Sequence, residues 1–130
     1  MSDTSSTAGG KDDAATTANG VASGMPKAEA VPLGELVAVA PGAIVSRTLV
    51  KANAGTITLF SFDEGQGLSE HTAPFDAFVQ VLEGKLDLTI GGNLVEASAG
   101  DAVLMPADVP HGLQATEPTQ MLLVMIREKN

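Results

Sequence analysis

From Pro41 to Ile126 the chain is cut into short apolar segments by Gly, Pro, Asn and Asp, at roughly 8–12-residue intervals, the pattern of an all-β sandwich or barrel. The segments are Ala43–Val50, Thr56–Phe62, Leu68–Ala73, Phe75–Leu82, Lys85–Ile90, Asn93–Ala97, Ala102–Met105, His111–Ala115 and Met121–Ile126. Lys85–Ile90 alternates most cleanly. Leu86, Leu88 and Ile90 share one face, while Lys85, Asp87 and Thr89 share the other. In Thr56–Phe62, Ile57 and Leu59 face one way and Phe60 and Phe62 the other. No long amphipathic helix and no internal repeat compete with this reading.

The ends of the chain read differently. Residues 1–24 are nearly all Ser, Thr, Ala, Gly, Asp and Asn, which bury too little apolar surface to offset ordering entropy, so a disordered tail is expected there. Residues 25–42 form a lead-in in which Pro26 and Pro32 forbid a long helix, leaving a short turn or strand over Leu33–Val37. The barrel proper then occupies residues 43–130. The amino terminus lacks the basic start and apolar centre of a secretory signal, and the run Met121–Ile126 is too short to cross a bilayer. A cytoplasmic protein without a membrane partner is expected.

Composition removes several chemistries. The absence of cysteine excludes disulfides, thiolate ligands and a cysteine nucleophile. A net charge of −9, with seven Lys and Arg spread along the chain, gives nucleic acid no basic face. Gly65-Gln66-Gly67 lacks the lysine and helix of a phosphate loop.

The two histidines, His71 and His111, are the groups that carry chemistry. Each lies in a segment punctuated by glycine and proline. The first segment is G-Q-G-L-S-E-H-T-A-P-F-D-A-F-V-Q-V-L-E-G and the second is G-D-A-V-L-M-P-A-D-V-P-H. Two neutral imidazoles supply two bonds, whereas Zn, Fe or Mn sites usually take three or more protein ligands. Strand parity turns Ala77, Val79 and Val81 inward and Gln80 outward. Glu70 faces out, and Asp76 reaches inward only if its turn bends. Met105, Met121 and Met125 read as core filler, with Met105 near enough to the His111 loop to line a cavity.

These two segments resemble the motifs of the cupins. The first cupin motif is glycine, five residues, His-x-His, three or four residues, Glu, six residues and glycine; Gly65, His71 and Gly84 fall on it. The second is glycine, five residues, Pro-x-Gly, two residues, His, three residues and Asn; Gly100, Pro106 and His111 fall on it. The resemblance spans about Ile44 to Ile126 and implies a jelly-roll barrel, the double-stranded β-helix. In metal-binding cupins three histidines and a glutamate hold a divalent ion. Here Ala73, Ala77 and Ala115 stand at three of the family's polar positions, and Pro106-Ala107-Asp108 replaces Pro-x-Gly.

Three readings follow from the resemblance. The first is a small-molecule binding or sensing cupin, with a mostly apolar pocket lined by Ala73, Ala77, Val79, Met105 and Ala115 and anchored by His71 and His111. The second is a metal-dependent isomerase or dioxygenase in which His71 and His111 hold Zn, Fe, Mn or Ni. The third is a dimerising barrel without a ligand. Cupins commonly dimerise through an edge strand, and the two-sided apolarity of Ala43–Val50 and Met121–Ile126 suits a homodimer.

Overall fold

Side chains alternate across a strand, so the apolar alternation seen in the sequence sets which face of each strand is buried. In the computed structural model, which describes residues 15–16 and 22–127, this alternation builds two facing sheets. The strands are β1 (Ile44–Ala52), β2 (Gly55–Phe62), β3 (Gly67–His71), β4 (Ala77–Glu83), β5 (Lys85–Ile90), β6 (Asn93–Ser98), β7 (Ala102–Met105), β8 (His111–Ala115) and β9 (Thr119–Ile126). The larger sheet runs β7-β4-β9-β2-β1 and the smaller β3-β8-β5-β6, every pair antiparallel. This is the all-β jelly roll that the motif spacing implied.

Between the sheets lies the main core. Phe62, Ala77, Val79, Val81 and Met121 come from the larger sheet and Leu86, Leu88, Leu113 and Ala115 from the smaller. Phe60 and Phe62 stack with ring centroids 5.8 Å apart. A second apolar cluster, built on Val37, Leu49 and Leu59, covers the outer face of the larger sheet.

The lead-in makes that second layer. Its only helical piece is a single 3₁₀ turn, Leu33–Glu35, as short as its prolines require. Gln120 Nε2 donates to the carbonyls of Gly34 and Val37 at 3.1 and 3.2 Å, and Ser61 Oγ donates to that of Ala38 at 2.8 Å. Buried polar groups of β2 and β9 thereby anchor the lead-in. Of the tail expected over residues 1–24, most lies outside the described residues. Ala15–Thr16 and Ala22–Ser23 pair antiparallel, and Gly24 N donates to Thr48 O at 2.6 Å.

Two expectations need correction. Met121–Ile126 has no free edge, because β9 is the central strand of the larger sheet, between β4 and β2. Its apolarity on both faces serves the inner core through Met121 and Leu123 and the lead-in through Leu122. Of the two segments expected to pair with a partner chain, only β1 lies at an edge. The segments around Pro74 are also shorter than expected: β3 stops at His71 and β4 starts at Ala77. Pro74 has no N–H for a ladder, and the Asp76 carboxylate accepts from Ala107 N at 2.9 Å. Among the described residues no helix is long and apolar enough to cross a membrane.

The β4–β5 turn hinges on Gly84, at φ +87°, where an added Cβ would run into the Pro118 carbonyl and Thr119 Oγ1. Both a left-handed backbone and a close approach forbid a side chain there. Replacing Gly84 by Ala should lower the unfolding free energy by about 1–3 kcal/mol, read from the midpoint of a urea titration.

Candidate functional site

A displaced strand register brings the two histidines together. At the β3–β8 pairing, Leu113 lies opposite Leu68 and Gln114 opposite Gly67, but His111 lies opposite His71. Ser69 and Glu70 therefore oppose the single residue Gly112, which is a β-bulge. Without the extra residue, strict alternation from Leu68 would leave His71 on the outer face and set Glu70 against His111. With it, Leu68 and His71 both line the same inner cavity, and Glu70 is exposed. Gly112 accommodates the crowding, since a Cβ there would sit 3.1 Å from Glu70 N and 3.2 Å from the Leu68 carbonyl oxygen.

The rings lie edge to face, centroids 4.5 Å apart and planes at 66°. His111 is buried, and His71 sits at the exposed mouth. Each ring is tied to the carbonyl two residues before it: His71 Nδ1 to Ser69 O at 2.9 Å and His111 Nδ1 to Val109 O at 3.0 Å. A carbonyl only accepts, so Nδ1 carries the hydrogen in both rings. Each neutral imidazole then presents its Nε2 as a bare lone pair.

The loops carrying the two rings are also fastened to one another. Asp108 N donates to Ala73 O at 2.8 Å, alongside the Ala107–Asp76 bond. Asp108 has φ +64° at the position where cupins carry glycine, a left-handed conformation that Asp tolerates better than most residues. Asp76, spent on the Ala107 amide, does not reach inward.

The cavity under the rings has a volume of about 40 Å³. Of the residues expected to line it, His71, His111, Ala73, Ala77 and Met105 do so. Val79 and Ala115 do not; both are fully buried in the main core and outside the cavity wall. Their inward parity is as expected, but facing inward also describes residues further along the sheets. Leu68, Gly112, Leu113, Met121, Leu123 and Met125 complete the wall. The parity of Met121, Leu123 and Met125 on one strand was the available signal for that face. Alanine at positions 73 and 77 does not by itself open a large hollow, because the leucines and methionines of the wall leave only about 40 Å³.

A chain with this motif spacing and this fold has relatives. The cupin domain family model matches residues 58–127, more than half of the sequence. The chain belongs to the cupin superfamily. A conserved protein of unknown function from Streptococcus pyogenes has 36% identity and a TM-score of 0.77, over 82% of this chain and 93% of that one. A cupin 2 conserved barrel domain protein from Leptotrichia buccalis is also 36% identical, with a TM-score of 0.70, over 72% of this chain and 45% of that one. A cupin superfamily protein from Desulfitobacterium hafniense shares the fold at 23% identity and a TM-score of 0.76, over 80% and 95% of the two chains. Among curated proteins nothing matches.

Metal-binding cupins use a divalent ion, and this cupin's residues do not fit one. Among the described residues no cluster of three or more His, Cys, Asp or Glu could hold a metal. The cavity wall contains no carboxylate. A dication at two imidazoles would keep its full charge in an apolar hollow, which is costly.

The tautomer assignment is directly testable. In ¹H–¹⁵N multiple-bond spectra the neutral rings of both His71 and His111 should show Nδ1 protonated and Nε2 bare. The Nε2–H pattern at either ring would contradict the hydrogen bonding described.

Proposed function

We propose that this cupin domain is a small-molecule-binding barrel in which the His71–His111 pair is the polar anchor. The observation that carries the reading is the pair of rings, each tied at Nδ1, which are the polar side chains in the wall of an otherwise apolar cavity and have Nε2 left to accept. Two acceptors and no donor select a ligand bearing an N–H, an O–H or a positive charge. Size narrows the class further. A volume of about 40 Å³ is far below the ~300 Å³ at which drug-sized pockets begin, and suits a group of one or two water-sized units. A larger ligand would place one compact end inside and leave the rest at the mouth beside His71 and Ala73.

The other two readings predict different behaviour. A barrel that only dimerises would be indifferent to the histidines. A divalent metalloenzyme would need ligands beyond the two imidazoles, at positions filled here by Ala73 and Ala77.

Methionine methyl groups report on the cavity, because Met105, Met121 and Met125 line it while Met25 packs in the second cluster. In protein labelled with ¹³C at the methionine methyls, formamide and methanol, which stay uncharged and carry a donor, are the ligands to test. Both should move the three cavity methyls with dissociation constants in roughly the millimolar range, and leave Met25 still. Ala77→Leu fills the hollow and should weaken that binding by about tenfold or more; the overpacking itself costs about 1–3 kcal/mol. No response at the cavity methyls, or an equal one at Met25, would overturn the reading.

A further inference from the structure

The cavity's donors are of an unusual kind for a cupin, and the sheet register shows why. Ala77, which stands at the family's acidic position, lies opposite Met105 on one side and opposite Met125 on the other. One row across the larger sheet therefore reads Met105, Ala77, Met125, with the alanine methyl between two thioethers. Both methionines line the same cavity as His71 and His111, which stand on the smaller sheet. We infer that this cavity is a site for a soft monovalent cation, copper(I) or its analogue silver(I), held by Nε2 of His71 and His111 and by thioether sulfur from Met105 and Met125. This deepens the reading of the cavity as the binding site and rests on it.

Softness favours this class. Thioether and imidazole donors select copper(I), whereas Zn, Fe and Mn are usually held with thiolate or carboxylate ligands as well. Charge points the same way. The set is entirely neutral, with Glu70 exposed on the outside and the Asp76 carboxylate engaged by the Ala107 amide. The cost of moving an ion into an apolar site grows with the square of its charge, so a dication pays about fourfold more than a monocation of equal radius.

Geometry explains why sulfur is needed as well as nitrogen. Two imidazoles on opposite sides of one ion, at ordinary metal–nitrogen lengths, would have centroids about 6 Å apart; side by side on the ion they come to about 4.5–5 Å. The observed 4.5 Å matches the side-by-side spacing and is too short for a linear ion between the rings as they stand. Further donors would come from across the cavity, where the larger sheet carries Met105 and Met125. Methionine's three rotatable bonds let its sulfur adjust to an ion there. With the Ser69 and Val109 carbonyls holding the hydrogen on Nδ1, Nε2 is the nitrogen left to bind the ion in each neutral ring.

The test uses the full chain and silver(I), which is redox-inert, followed by copper(I) in anaerobic competition with bicinchoninate. One equivalent of silver(I) should shift the Met105 and Met125 methyls and the ring protons of both histidines, with Met25 unmoved. Met105→Leu/Met125→Leu conserves core volume and should fold normally, yet lose copper(I) affinity by at least tenfold; His111→Gln should lose at least as much. Zinc(II) should bind the wild-type chain at least tenfold more weakly than copper(I). Zinc(II) binding as tight as copper(I), or a leucine double variant with undiminished copper(I) affinity, would overturn the inference. If silver(I) leaves the cavity methyls unmoved while formamide still shifts them, the cation assignment fails and the binding pocket stands; if neither moves them, both fail.

Discussion

One extra residue in a strand governs the inside of this protein. Because successive side chains alternate between faces, a regular β3 would have sent His71 outward and brought Glu70 against His111. Placing Ser69 and Glu70 opposite Gly112 reverses that parity and sets imidazole across from imidazole. The same two strands supply the carbonyls of the hydrogen bond at Ser69 and, just upstream of β8, at Val109. Glycine at position 112 eases the device, since a Cβ there would sit 3.1–3.2 Å from the bulged backbone, tighter than an ordinary contact. The position of one ring, its tautomer and the exclusion of a carboxylate from the cavity all descend from this irregularity.

Around that pair the two sheets divide the work. The smaller sheet brings nitrogen, at the mouth and just below it. The larger sheet brings sulfur and hydrocarbon, since β4 contributes Ala77 and its neighbours β7 and β9 contribute Met105 and Met125 on either side. Packing then decides the size of what can enter. Small residues at positions 73 and 77 do not by themselves produce a spacious pocket, because flexible methionines occupy freed volume readily. The lead-in packs behind the larger sheet, so β9 has its inner face in the core and Leu122 of its outer face covered within one chain.

Much of the fold was legible because it rests on local rules. Turn residues marked strand ends to within a few positions, and Leu86, Leu88, Leu59 and Phe62 fell on the faces that alternation assigned. Motif spacing paired His71 with His111 correctly. The bulge was not legible, since nothing at Ser69-Glu70 distinguishes an extra residue from an ordinary strand step. Nor was the placement of Val79 and Ala115: parity says that a residue faces inward, but depth along the barrel depends on tilt and register between strands distant in sequence. Met121–Ile126 was ambiguous for the same reason. A strand apolar on both faces can be covered by a partner or by its own chain, and here residues 25–42 provide the cover. The cross-strand row through Ala77 likewise joins residues from three separate segments, which no local pattern reveals.

The central claim is that both imidazoles enter one hollow from neighbouring strands. Nuclear Overhauser contacts between the ring protons of His71 and His111, in protein carrying ¹³C-labelled histidine, measure it most directly. Centroids 4.5 Å apart predict a strong ring-to-ring contact, together with contacts from both rings to the Met105 methyl. Rings that show no contact with one another, with His71 seeing only solvent and Glu70, would mean that the bulge is absent and that no shared site exists.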